Sequence, residues 1–138
     1  MEYLVDANVL SEATRREPDA NVIEWLRHNE ERLCVDPVIL GELRFGILIL
    51  PPGKRRKRLE AWFRDGVSRI ACLDWTPETG LAWAGLLAEL RAAGTSMPMK
   101  DSFIAATAAA NGLTLATRNT ADFGAAGVPL VNPWLAAG

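Results

Sequence analysis

The sequence predicts an α/β fold, a three-layer α/β/α sandwich built around a mostly parallel sheet. Two observations predict it. Short apolar segments alternate along the chain with longer segments of helical periodicity that begin at capping residues. Acidic residues follow some of the apolar segments directly, at positions that would lie at the carboxyl ends of parallel strands. We therefore expect right-handed crossovers and helices on both faces of the sheet.

Composition predicts a single domain over residues 1–138. At 49% hydrophobic residues, a chain of this length can bury a substantial core. Apolar runs such as Ile47–Leu50 are too short to span a bilayer, so we expect no membrane partner and a cytoplasmic location. Cys34 and Cys72 form no CxxC pair, and we expect both to be reduced and buried, which argues against a zinc site.

The first strand is predicted at Tyr3–Val5 and ends at Asp6, with Asn8 expected to cap the first helix. Asp6 would then lie at the carboxyl end of a strand, where parallel sheets bind their ligands. An ordinary turn aspartate is the alternative interpretation of the same residue.

The second helix is predicted to begin at the capping residue Asp19 and to end near Asn29. His28, the one histidine of the chain, lies on it among charged and polar neighbours. We expect this side chain to be solvated rather than to act as a general base. The sequence also lacks a GxSxG motif, so it does not support a Ser-His-Asp hydrolase.

A second strand, Leu33–Val35, is predicted before a helix that is capped by Asp36 and has Pro37 at its first position. Glu42 lies on this helix within the otherwise apolar run 38–43. A buried carboxylate is costly unless it is paired or bound to a metal, so Glu42 is a candidate ligand. A solvated helix face is the alternative.

A basic run opens the next helix, which is predicted to continue to about Gly66. The chain carries 15 basic and 17 acidic residues, but five of the basic residues are adjacent. Each is unfavourable by about 0.3–1 kcal/mol at the positive end of the helix dipole. The run is a local basic patch that can contact an acidic partner; a solvated helix start is the alternative. Its residues are Lys54, Arg55, Arg56, Lys57 and Arg58.

Three further strands complete the predicted sheet. The third, Ile70–Leu73, precedes a helix that is capped by Thr76 and ends at Gly94. The fourth is Thr114–Ala116, and the last is Val128–Val131, which its proline should confine to the sheet edge.

The stretch 100–123 adds two acids, one near a helix start and one in the polar turn after the fourth strand. Asp101 could simply cap its helix, but four acids in such positions can converge at the carboxyl edge of the sheet. Clustered carboxylates resist ionising together unless a cation neutralises them. Hard oxygen ligands select Mg²⁺ or Mn²⁺, which hydrolyse phosphodiesters by activating water. The candidate catalytic and metal-binding residues are Asp6, Glu42, Asp101 and Asp122.

Neighbouring polar side chains are expected to hold these acids in place by hydrogen bonds. They are Thr117, Asn119 and Asn8.

Several segments together resemble one family. They are YLVDANVLSE, LGELRFGI, LPPGKRRKRLEAWF, MKDSFIAATAAANGL, LATRNTADF and the closing NPW. In order and spacing they resemble PIN domains, and among these the VapC-type ribonuclease toxins of bacterial toxin-antitoxin pairs. The resemblance implies a three-layer fold, a Mg²⁺ or Mn²⁺ site built by the four acids, endoribonuclease activity, a homodimer and a cognate antitoxin. With RNA as the implied substrate, we interpret the basic run 54–58 as an RNA-backbone contact; a solvated helix start or a site for an acidic antitoxin is the alternative. Ala7 departs from the pattern, since many relatives carry Thr or Ser there.

Alternatives from other classes are weaker. A haloacid-dehalogenase-like enzyme needs a second aspartate where Asn8 stands, and a dinucleotide binder needs a GxG spacing that the chain lacks. The remaining rival is a catalytically silent PIN-like module that binds RNA or a protein. Of the five tryptophans, Trp25, Trp62 and Trp134 are either interface residues or part of the core.

Overall fold

Five parallel strands form one sheet; counted along the chain, they lie in the order third, second, first, fourth, fifth. The computed structural model describes residues 1–135, so the last three residues of the predicted domain lie outside the described part. In the register of the central strands, Leu4 is paired with Cys34 on one side and with Leu115 on the other. The strands are β1 (Tyr3–Val5), β2 (Leu33–Val35), β3 (Ala71–Cys72), β4 (Thr114–Ala116) and β5 (Leu130–Val131).

Within residues 1–135, seven α-helices connect and cover these strands. The first four helices contact one another in a group, as do the last three. Since crossovers between parallel strands are right-handed, this strand order puts the two groups on opposite faces of the sheet, in agreement with the predicted three layers. The helices are α1 (Ala7–Glu12), α2 (Ala20–His28), α3 (Pro37–Leu48), α4 (Lys54–Asp65), α5 (Pro77–Ala93), α6 (Met99–Ala110) and α7 (Thr120–Phe123).

The hydrophobic core lies on both faces of the three central strands. Leu4, Val35 and Leu115 are completely buried, as expected for parallel strands covered by helices on each side. β3 lies at an edge of the sheet and both of its residues are exposed. The prediction that both cysteines are buried is therefore right for Cys34 and wrong for Cys72.

Helix starts follow the predicted caps with one exception. Asp19, Asp36 and Thr76 each accept a hydrogen bond from a backbone N–H in the first turn of the helix that follows. Asn8 does not cap α1, because Asp6 immediately after β1 takes that position and accepts from the N–H of Ala7. The cap and the strand-end acid are thus the same residue.

The two strands at the edges of the sheet are shorter than predicted. The third strand is confined to Ala71–Cys72 and the fifth to Leu130–Val131, although the fifth lies at the sheet edge as expected. The polar turn after β4 is in part helical, since α7 occupies Thr120–Phe123. Edge strands pair on one side only, so fewer of their residues are held in a ladder.

The helices of residues 1–135 are all too short or too polar to cross a lipid bilayer.

The order of the strands creates a crevice beside β1. The chain runs outward from β1 through β2 to β3 and then returns to β4 on the other side of β1. Such a reversal leaves a gap at the carboxyl ends of the two strands that flank it. Asp6 follows β1 and Thr117 follows β4, so both lie at this gap.

Candidate active site

Asp6 is held at the crevice by groups from both flanking strands. Its side chain is almost fully buried. Oδ1 accepts the N–H of Ala7 at 2.8 Å, and Oδ2 accepts the hydroxyl of Thr117 at 2.8 Å. The amide of Asn8 also donates to Oδ2, at 3.4 Å. The carboxylate therefore has a fixed orientation before any ligand arrives.

The supporting residues differ in how they reach Asp6. Thr117 is fully buried, and its oxygen also accepts the backbone N–H of Asn119 at 3.0 Å. Asn8 accepts the N–H of Arg118 at 3.3 Å, which ties the start of α1 to the turn after β4. Within residues 1–135 the side chain of Asn119 makes no hydrogen bond, so only its backbone contributes.

The environment of Asp6 opposes its ionisation. The pKa of Asp6 is raised from 3.8 to about 6, chiefly by burial and in part by the charges of Glu42 and Asp101. The hydrogen bonds from Thr117 and Ala7 act in the opposite direction. Two acids far away in sequence are thus close enough for their charges to act on Asp6.

Glu42 reaches the same edge from α3 and forms an ion pair that was not predicted. Its Oε2 accepts from Nζ of Lys100 at 2.8 Å. Its Oε1 is buried and has no hydrogen-bond partner within the described chain. The bond to Glu42 raises the pKa of Lys100. The only sequence signal for Lys100 is a basic residue directly before a candidate acid.

Asp101 and Asp122 complete the set of acids. Asp101 is the third residue of α6 rather than its cap, and it is buried. Burial raises its pKa, Lys100 lowers it, and the charges of Asp122 and Glu42 raise it. Asp122 lies in the first turn of α7 and is exposed. The structure therefore brings the four predicted acids to one edge of the sheet.

A buried hydrogen bond joins the two helices that carry Glu42 and Asp101. Asp36 caps α3 by accepting the N–H of Ile39 at 2.8 Å, and its other oxygen accepts the hydroxyl of Thr107 on α6 at 2.7 Å. Burial raises the pKa of Asp36, and these two bonds lower it. The indole N–H of Trp75 also lowers this pKa but makes no direct hydrogen bond. Sequence reasoning found the cap and missed its link to α6.

The donor set fits a hard divalent cation in its chemistry. All four candidates offer carboxylate oxygens, and the buried Oε1 of Glu42 is an acceptor without a partner. Even so, no three acidic, histidine or cysteine side chains of residues 1–135 are close enough together to hold a metal ion. Glu42 pairs with Lys100 in this arrangement. Holding a metal ion would therefore require some of these side chains, Glu42 among them, to move.

A cleft of about 340 Å³, called here the acid cleft, lies beside Glu42, the one candidate acid in its lining. Its lining includes Ala7, Asn8 and Glu42, and on the α4 side Arg55 and Trp62. The basic run forms the first residues of α4, whose cap position is Gly53 and has no side-chain cap. Of the basic run, Arg55 therefore lines the same cleft as Glu42.

The three tryptophans of the interface hypothesis pack in part against the core. Trp25, Trp62 and Trp134 are each partly buried. Trp25 also meets Tyr3 edge to face, with ring centroids 5.0 Å apart.

Similar proteins of known sequence cover almost the whole chain. "Plasmid stability protein StbB" of Pseudomonas syringae pv. tomato is 42% identical over 95% of this chain and 97% of its own length. "VapC ribonuclease Y4jK" of Sinorhizobium fredii is 36% identical over 95% and 96%. "Toxin FitB" of Neisseria gonorrhoeae is 31% identical over 95% and 97%.

A solved structure has the same fold. The structure of FitAB bound to an IR36 DNA fragment superposes with a TM-score of 0.91 at 28% identity, and the match covers 99% of this chain and 98% of that one. Residues 3–127 match the PIN domain family, and with the relatives above this shows that the chain belongs to the PIN-domain family.

Proposed function

We propose that this protein is a divalent-metal-dependent endoribonuclease and the toxin of a toxin-antitoxin pair. The observation that carries the proposal is the convergence of four acids whose charges act on one another at the carboxyl edge of the sheet. The relatives named as a VapC ribonuclease and as a toxin support the same function. Mg²⁺ or Mn²⁺ is the cation that this donor set favours.

The carboxylates proposed to hold the cation come from separate elements of the fold. Asp6, Glu42, Asp101 and Asp122 would hold it. When bound, the cation supplies an activated water and neutralises charge on the leaving oxygen of the phosphodiester. Asp6 is oriented by Thr117 and Ala7, so its placement needs no rearrangement. Glu42 must release Lys100 or share its carboxylate with it.

RNA cleavage with and without metal tests the activity. The wild-type protein should cleave RNA in Mg²⁺ or Mn²⁺ and lose that activity in excess chelator. Asp101→Asn removes a charge from the buried edge and should slow cleavage by about 100-fold or more. Asp65→Asn is the matched control, because Asp65 is exposed at the end of α4 and pairs with Arg64. Cleavage that persists in chelator, or equal rates in the two variants, would refute the proposal.

A silent PIN-like module that binds RNA or a protein is the second candidate. It is favoured by one observation, the lack of a preformed group of three metal-binding side chains in residues 1–135. Such a module would bind RNA without cleaving it and would show no saturable metal binding. The intact set of four mutually repelling acids supports the enzyme instead.

Two protein partners follow from the same proposal, a second copy of the chain and an antitoxin. The relative named a toxin and the FitAB structure support an antitoxin partner. Large apolar side chains at the end of α3 are open to such contacts, since Phe45 on the helix and Ile49 directly after it are 63% and 64% exposed. Light scattering at micromolar concentration should give about twice the mass of one chain. A mass of 15.0 kDa would contradict the dimer.

A further inference from the structure

We propose that a groove lined by arginines beside α4 binds the backbone of single-stranded RNA and leads the strand to the acid edge. The proposal rests on the proposed function and adds a substrate path to it. The groove, called here the arginine groove, has a volume of about 1080 Å³ and lies between α4 and the α1–α2 connection. Its lining residues that matter here are Arg15, Arg16, Arg55, Arg58 and Trp62.

Two segments supply the cationic walls. On α4, Arg55, Arg58 and Trp62 follow one another at intervals of three and four residues, so they share one face of the helix. The opposite wall carries Arg15 and Arg16, which lie between α1 and α2. Helical geometry thus selects only part of the basic run for this groove.

The remaining members of the run have other positions. Arg56 is half-buried and bonded within the protein, to Glu60 at 3.2 Å and to the carbonyl of Leu50 at 3.2 Å. Lys54 and Lys57 are exposed and do not line the groove. The prediction that all five cations contact RNA is therefore narrowed to Arg55 and Arg58.

The positive charge of the groove has few internal partners. Arg15 pairs with Glu12 at 3.3 Å, whereas Arg16, Arg55 and Arg58 make no salt bridge within residues 1–135. Glu17 is the one acid in the lining. Guanidinium groups gathered in this way repel one another, and phosphate oxygens are the anions that their fork of donors fits best.

The arginine groove shares part of its wall with the acid cleft. Arg55 and Trp62 line both, and the acid cleft also contains Glu42 and Asn8. A strand whose phosphates lie along the arginines would therefore pass Trp62 and come beside Glu42. The partly exposed indole offers a face on which an unpaired base can stack, which favours a single strand over a duplex.

Salt-dependent binding in chelator tests the groove separately from catalysis. A fluorescently labelled single-stranded RNA is titrated with the full chain in EDTA at several NaCl concentrations, and anisotropy gives the affinity. Each phosphate contact on a single strand contributes about 0.7 to the slope of log affinity against log salt. The double variant Arg55→Gln, Arg58→Gln should lower the slope by about 1.4. The double variant Lys54→Gln, Lys57→Gln is the matched control, with the same charge change on the same helix, and should lower it by clearly less.

The outcomes separate the possible occupants. An unchanged slope in the Arg55, Arg58 variant, or equal decreases in both double variants, would overturn the proposal. If polyglutamate binding depends on Arg55 and Arg58 while RNA binding does not, the groove binds an acidic protein segment and the RNA assignment is wrong.

The variant Arg58→Lys checks folding and geometry, because it keeps the charge but loses the planar guanidinium group. It should bind RNA more weakly than the wild type, with a nearly unchanged slope of log affinity against log salt. RNA binding in EDTA does not require cleavage. The binding titration can therefore refute the groove while the cleavage assay supports the ribonuclease, and the cleavage assay can refute the ribonuclease while the titration supports the groove.

Discussion

Asp6 shows how one residue serves both fold and chemistry. It caps α1, accepts a hydroxyl from the end of β4 and carries a charge that its surroundings oppose. The raised pKa is the cost of holding a carboxylate ready for a cation.

The pH dependence of stability should reveal this cost. Because the pKa of Asp6 is higher in the folded protein than the ordinary value of 3.8, the folded state binds the proton more tightly. The contribution of Asp6 to the free energy of unfolding is then fully present below about pH 4, and it is lost as the pH rises through about 6. In metal-free buffer at pH 8, Asp6→Asn should therefore be more stable than the wild type by on the order of 2 kcal/mol, a gain that disappears near pH 4.

Denaturant unfolding at pH 4 and pH 8 measures the difference. Asn keeps an oxygen for the N–H of Ala7 and so preserves the cap. Asp74→Asn, which removes an exposed carboxylate, should follow the wild type at both pH values. If Asp6→Asn is no more stable than the wild type at pH 8, the carboxylate is not held against its own ionisation.

Lys100 is the residue that sequence reasoning had least chance of finding. Its ammonium lies 2.8 Å from Glu42 and lowers the pKa of Asp101, so it partly neutralises the acid edge without a metal. The pairing joins α3 to α6, 58 positions apart in the chain. Helical periodicity describes one element at a time, and a contact between elements depends on how they pack.

At the scale of elements, the caps were the most reliable signals. Asp19, Asp36 and Thr76 were predicted from local chemistry alone, because a cap acts on the N–H groups two or three residues ahead. The prediction of Asn8 as a cap is wrong because Asp6 is also a good capping residue and lies directly at the end of β1. The predicted ranges of the two edge strands are too long, because the length of a strand depends on its pairing with a neighbour, which sequence periodicity does not reveal.

The basic run of α4 illustrates the same limit. The sequence predicts that five adjacent cations form one contact surface, but consecutive residues on a helix point in different directions. Arg56 turns inward to Glu60, while Arg55 and Arg58 line the groove. Arg15 and Arg16 join them from another segment and carried no sequence signal of their own. A composite surface of this kind is visible only after the elements are packed.

At the scale of the whole molecule, topology explains why four distant acids meet. The sheet reverses its winding beside β1, so residues after β1 and β4 lie together although more than 100 positions separate them. The sequence predicted this convergence from acids at strand ends and helix starts. It did not predict that, within residues 1–135, no three of these side chains are close enough together to hold a metal ion.

The central claim is that this edge is a site for a divalent cation, and calorimetric titration with Mn²⁺ near pH 7.5 tests it most directly. The wild-type protein should bind Mn²⁺ saturably, and the affinity should fall as the pH is lowered through about 6, where Asp6 gains its proton. Asp101→Asn should weaken binding by about 10-fold or more, since it removes a ligand charge, whereas Asp65→Asn should bind as the wild type does. A wild-type protein without saturable binding, or equal affinities in the two variants, would contradict the account.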